Sequence, residues 1–316
     1  MIYNLENAYL KVSILDVGAS ILSIQYLGKE TTLQYDSLDT YQVNPYYLNS
    51  VIGPHAGRIK DGRYELDGKE IALETGSSGN HLHGGSTGFH TLVFKESVYT
   101  KDSCILEAYD SYNRCFIKLN YTLIESDLKI EFEVKSEIDQ VMNMTQHTYF
   151  NLSGEDTVMN HEITVDAQRF SSLDKTGVPM GLMEVEGPFD LRETSLLGSK
   201  MVMEHSQFEI TDNIDTAFEV NQGGVDIYSS LSDVGVKIQS NRPFVVIYTS
   251  NYFLGDVSFK GHGPSKKYQA IAIEPQYLPN DVNLKLGANQ ILKVGEIYKQ
   301  KIQYHFYHKG ELPWSN

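Results

Sequence analysis

Four stretches of the chain gather side chains able to move protons or hold hydroxyl groups. In "MNMTQHTYFNLSG" (142–154), His147 sits among Thr145, Gln146, Thr148, Tyr149 and Asn151. On a strand, Thr145, His147 and Tyr149 would share one face, where a histidine could donate a proton to a polyhydroxylated ligand. A buried histidine satisfied by its neighbours would use the same residues. In "AIAIEPQYLPNDVN" (270–283), Glu274 ends a wholly apolar run. A carboxylate emerging there would be partly desolvated, which raises its pKa and makes it a better base. The bland alternative is a glutamate ending an edge strand before Pro275. "GPHAGRIKDGRY" (53–64) sets Arg58 among small residues that let a guanidinium reach hydroxyls or a carboxylate. Asp215, in "TDNIDTAFEV", is a further isolated acid, and isolated acids mostly lie on surfaces.

The fourth stretch, "SSGNHLHGGSTGF" (77–89), places His81 and His83 two apart in a glycine-rich segment. That spacing occurs in metal sites, but a metal needs a third and usually a fourth ligand. The chain continues "GGSTGFH" and offers no carboxylate until Glu96, so a metal is not favoured over a pair of solvated or structural histidines. Gly84 and Gly85 can turn the backbone sharply where a Cβ would be in the way.

The elements that must position these groups read as strands. In "LKIEFEVKSE" Ile130, Phe132 and Val134 alternate with charged residues, and "KIQYHFYHKG" repeats the pattern with Ile302, Tyr304 and Phe306. Asp67-Gly68 between two strand-like runs predicts a hairpin. "DVGVKIQSNRPFVVIYTSN" predicts two strands around a turn at 241–243, and 171–207 predicts turns with one short helical piece. No linker, repeat or low-complexity tract divides the chain. An all-β, large antiparallel sandwich forming one domain over 1–316 is therefore expected.

The 316 residues carry a net charge of −15, which opposes nucleic-acid binding because phosphates require clustered Lys and Arg. Cys104 and Cys115 cannot build a disulfide framework and fit a reducing compartment. No signal-peptide pattern opens the chain, and no apolar run approaches the ~20 residues that span a bilayer. A cytoplasmic protein without a membrane partner is expected.

Taken in order, "NHLHGG" (80–85), "TQHTYFNLSG" (145–154) and "IEPQYLPNDVN" (273–283) resemble the aldose 1-epimerase (galactose mutarotase) family over nearly the whole chain. The resemblance implies a β-sandwich whose concave face binds a free hexose and interconverts its α and β anomers, with no metal or organic cofactor, as a monomer or homodimer. It implies Glu274 as general base at the C1 hydroxyl and His147 as general acid at the ring oxygen. It further implies that His83 holds the ring-oxygen side, and that Arg58, Asp215, Asn80, Gln276 and Tyr149 contact the sugar, while His81 is structural or peripheral. Tyr248 is a further aromatic candidate for the pocket. Three positions depart from the family pattern. Gly57 stands where many relatives place Asn, Thr216 where His is frequent, and Val246 where a sugar-binding Gln is frequent. These leave the preferred sugar open and keep three alternatives: a relative acting on a modified or phosphorylated sugar, a sugar-binding module without turnover, and a metal-dependent cupin-like isomerase.

Overall fold

The computed structural model describes residues 1–286 and 290–310. Alternation in the sequence becomes alternation in burial. In Asp127–Ser136 the side chains of Leu128, Ile130, Phe132 and Val134 are buried and the residues between them are not. Tyr298–Tyr307 does the same, and the two strands pair antiparallel with Ile130 opposite Ile302. Such pairs extend a 13-stranded antiparallel sheet running from Lys95–Tyr99 through Asp127–Ser136, Tyr298–Tyr307, Val234–Ser240 and Asp215–Ser229. It continues through Phe244–Tyr248 and Ile271–Gln276 to Tyr149–Phe150. A second antiparallel sheet of four strands is made by Ile2–Glu6, Leu10–Leu15, Ser20–Tyr26 and Lys29–Glu30. Leu10, Val12, Ile14 and Ile24 of the small sheet share one apolar core with Leu106, Ile117, Leu119 and Phe132 of the large one. Burying each such large side chain contributes on the order of 2–3 kcal/mol. The architecture is the expected β-sandwich.

Local expectations fare unevenly. Asp67 and Gly68 both take positive φ and join Arg63–Leu66 to Lys69–Ala72 as a hairpin. The strands on either side of 241–243 exist, yet they do not pair with each other. Both pair instead with the 15-residue strand Asp215–Ser229, one on each half. In 171–207 the segment Pro179–Glu184 is a strand returning along Glu162–Leu173, and Leu197–Met201 is the short helix. The cysteines are buried free thiols. Among the described residues, no helix is long and apolar enough to cross a membrane.

Three neighbouring strands form the floor of the site. Register places Asp215 opposite Tyr248 and Tyr248 opposite Ala272. The next row on the same face is Ala217, Val246, Glu274, and the one after is Glu219, Phe244, Gln276. The opposite face sends Phe218, Val245, Ile247 and Ile273 into the core. Opposite the floor stands a rim of loops and two-residue strands, in which Arg58–Ile59 pairs with His81–Leu82.

Candidate active site

Floor and rim enclose a cavity of about 240 Å3. Arg58, His83, His147, Tyr149, Asp215, Glu274 and Gln276 all line it, together with Thr216, Val246 and Tyr248. Seven of the eight residues expected at the site are thus brought together from five separate segments. Asn80 is not among them. It is buried outside the cavity, its Oδ1 accepting from the Asp61 N–H (3.0 Å) and its Nδ2 donating to the Thr176 hydroxyl (2.9 Å). Both ends of the amide hold loops, so Asn80 supports the site without facing it.

His147 follows the two-residue strand Thr145–Gln146 and precedes Tyr149–Phe150, which belong to different sheets. The single strand expected there is broken, but its alternation survives: His147 and Tyr149 face the cavity. Gln146 accepts from the Tyr121 hydroxyl (3.0 Å), and Thr148 shares a hydrogen bond with Tyr304 (3.0 Å), both inside the core. The His147 Nε2 lies 3.2 Å from the Glu274 Oε1. Both side chains are almost wholly shielded, at 4 % and 3 % exposure. Burial drives the His147 pKa down to about 3. Burial, reinforced by nearby Asp215 and opposed by Arg58, holds Glu274 well above the usual carboxylate range. Each group therefore resists its charged form, and the pair keeps one proton between them.

His83 is positioned by its backbone. It takes a left-handed φ of 51°, followed by Gly84 at 85°, where an added Cβ would strike the Gly53 carbonyl. The Gly57 N–H donates to the His83 Nδ1 (3.2 Å), so the proton of the neutral ring sits on Nε2. Burial first, then His147 and Arg58, keeps this imidazole uncharged. His81 turns away, its Nδ1 2.7 Å from the Glu74 carbonyl oxygen and its ring edge-on to His55. Arg58 Nη1 approaches Asp215 Oδ2 at 3.6 Å, and burial outweighs that contact in raising the Asp215 pKa. The Tyr149 hydroxyl donates to the Tyr46 carbonyl (3.0 Å), leaving its ring to face His147 at 4.9 Å between centroids.

Donor atoms of His83, His147 and Glu274 lie within 4.8 Å of one another. Two imidazoles and a carboxylate are a recognised metal set, and the distant strand supplies the third ligand that the loop alone lacks. The hydrogen bonds do not fit such use, however. A ligating imidazole donates from its second nitrogen, whereas the His83 Nδ1 accepts from a backbone N–H. Among the described residues, the His147 Nδ1 has no hydrogen-bond partner.

Sequence reasoning missed Tyr47. Its ring lies 4.7 Å from His83 and 4.8 Å from His90, forming the roof between the two sides. A left-handed φ of 54° turns it inward, a conformation that "NPYYLN" does not announce. Gly57 also gains an explanation. It has a φ of 76°, and an added Cβ would collide with the Pro279 ring.

A sequence profile of the family described as aldose 1-epimerase matches residues 1–305. The chain belongs to the aldose 1-epimerase family. It is 29 % identical to the aldose 1-epimerase of Escherichia coli across 95 % of this chain and 93 % of that one. It is 26 % identical to the galactose mutarotase of Mus musculus across 96 % and 93 %. Among solved structures, an aldose epimerase homologue from C. elegans superposes with a TM-score of 0.90 at 23 % identity, covering 98 % of this chain and 99 % of its own. At that identity the likeness concerns the fold. The family assignment makes this chain an isomerase of carbohydrate metabolism.

Proposed function

We propose that this member of the family interconverts the α and β anomers of a free aldohexose such as glucose or galactose. The buried His147–Glu274 pair, 3.2 Å apart, carries the reading. Glu274 takes the proton of the C1 hydroxyl while the C1–O bond becomes a carbonyl. The C1–O5 bond breaks, and O5 takes the proton held on the His147 Nε2. Rotation about C1–C2 and the reverse transfers close the ring on the other face.

The resting pair already contains the single proton that this exchange needs. A sugar entering between the two groups offers its C1 hydroxyl to the carboxylate, which favours the ionised glutamate and passes the proton to His147. Arg58 acts in the same direction on Glu274. His83, a neutral donor through Nε2, supports the ring-oxygen side, and Arg58 with Asp215 binds hydroxyls at the other end. A phosphorylated ligand fits less well, because the one cationic side chain among these groups is already beside Asp215. The test is polarimetry on freshly dissolved α-glucose and α-galactose with wild type, Glu274→Gln and His147→Asn, with and without chelator. The reading requires acceleration over buffer by wild type, insensitivity to chelator and loss in both variants.

A further inference from the structure

We propose that Ala217 and Val246 form an apolar floor that selects an aldose bearing hydrogen in place of a hydroxyl on the carbon above them. The inference rests on the mutarotase reading and deepens it. Register places Val246 directly between Ala217 and Glu274 in one row, with Asp215 one row away on the Ala217 strand. Adjacent strands lie about 4.8 Å apart, so a ring spanning Glu274 and the Arg58–Asp215 pair must cross the Val246 and Ala217 side chains.

Neither the Val246 nor the Ala217 side chain carries a polar atom that could receive a hydroxyl. Val246 and Ala217 belong to an apolar cluster with Phe244 and Leu278, against which Leu182 and Leu284 pack. Val246 is only 9 % exposed and Ala217 2 %, so solvent reaches the floor through the cavity alone. The neighbouring Thr216 hydroxyl donates to the Ser171 carbonyl (2.8 Å), and the Gln276 amide reaches back to Glu274 (3.4 Å). A sugar hydroxyl pressed onto this floor would surrender its water without replacement, worth roughly a factor of ten or more in transition-state binding. A C–H bond there loses nothing and gains contact.

The experiment compares kcat/KM for mutarotation of D-glucose and D-galactose with their 2-, 3-, 4- and 6-deoxy counterparts, each corrected for the buffer rate. Wild type should favour at least one deoxy sugar over its parent by roughly tenfold. Val246→Thr, which keeps the shape and adds a hydroxyl, should shrink that ratio by raising the rate for the parent; Val246→Gln should shrink it further. Parents equal to or ahead of every deoxy sugar would overturn the inference while leaving the mutarotase reading intact. A preference that persists unchanged in folded Val246→Thr would equally remove Val246 from the role. No acceleration of any sugar removes the mutarotase reading and this inference together.

Discussion

The floor and the rim of the cavity are built on different principles. The floor is part of a hydrogen-bonded ladder, with Phe218, Val245, Ile247 and Ile273 filling the core directly behind it. Its side chains Asp215, Glu274 and Gln276 are placed by strand period and register. The rim has little regular structure. Tyr47, Asn49, Gly57, His83 and Gly84 all take left-handed φ, and buried amides stitch the segments together. The Asn49 Oδ1 accepts from the Tyr149 N–H (2.7 Å), and the Asn143 Oδ1 accepts from the Tyr277 N–H (2.9 Å). The acids thus stand on the rigid half, while the imidazoles and Arg58 stand on the half held by special backbone and polar contacts. Changes on the floor should alter chemistry with the fold intact, and changes on the rim should cost stability and chemistry together.

The largest expected effect is on the floor. Glu274→Gln removes the base and replaces a desolvated carboxyl by an amide of the same shape, with its register neighbours undisturbed. A fall in kcat of roughly 10²–10⁴-fold is expected, with a thermal midpoint close to wild type. His147→Asn, on the rim, should lose a similar factor in kcat, and the double variant should lose less than the product because the two act on one event. Retained kcat in Glu274→Gln would remove the base from the scheme.

The two halves should also respond oppositely to pH. In the unfolded chain, imidazoles protonate below about pH 6.5, whereas burial holds His55 and His147 neutral to about pH 3, and His90 and His161 to about pH 4. The unfolded state then binds more protons as pH falls, so each such ring withdraws roughly 1.4 kcal/mol of stability per pH unit below 6.5. The acids Glu274 and Asp215 have raised values and the reverse sign, retaining protons that the unfolded chain releases above about pH 4. They act against the contributions of His83 and His147, and Asp226, also raised, acts in the same direction as these acids. A net fall of a few kcal/mol is therefore expected between about pH 6.5 and 5. Urea midpoints at the two pH values measure it, and equal midpoints would mean that these imidazoles are solvated. Activity, by contrast, should show no inflection from His147 near pH 6.5, because burial keeps that ring neutral down to about pH 3.

The same division decides what the sequence discloses. Period-2 alternation exposes the strands of the large sheet, and the apolar run ending at Glu274 marks a floor position because register converts sequence parity into facing. Tyr47 and the structural role of Asn80 stay hidden, since a left-handed turn and an amide bonded to two loops leave no periodic trace. The third donor beside His83 and His147 was equally invisible from the HxH loop, because a fold brings it from more than 100 residues away. Gly57 shows the limit from the other side. Reading it only as a departure from the Asn of many relatives overlooks the Pro279 ring that occupies the space.

That rim contact yields a smaller prediction. Gly57→Ala places a Cβ against Pro279 at a φ of 76°, and should cost about 1–3 kcal/mol in denaturant unfolding. It should also raise KM, since the Gly57 N–H that fixes the His83 tautomer must move. Adding Pro279→Ala removes the collision but leaves the strained φ, so part of the loss should return. Full wild-type stability in Gly57→Ala would show a rim more yielding than its geometry implies.

The smallest expected effect separates a ring from its hydroxyl. Tyr149 stands where floor meets rim: its backbone extends the large sheet opposite Ala272, while its hydroxyl donates to the Tyr46 carbonyl in the roof loop. That hydroxyl is taken up by the Tyr46 carbonyl, and the ring lies beside His147. Tyr149→Phe keeps the ring and leaves one carbonyl unpartnered, so about 1 kcal/mol of stability should go while kcat changes by less than about threefold. A thermal midpoint and a single polarimetric kcat are enough to check it. If kcat falls tenfold or more with the midpoint unmoved, the hydroxyl works on substrate, and the boundary between floor and rim lies one residue further than the hydrogen bonds place it.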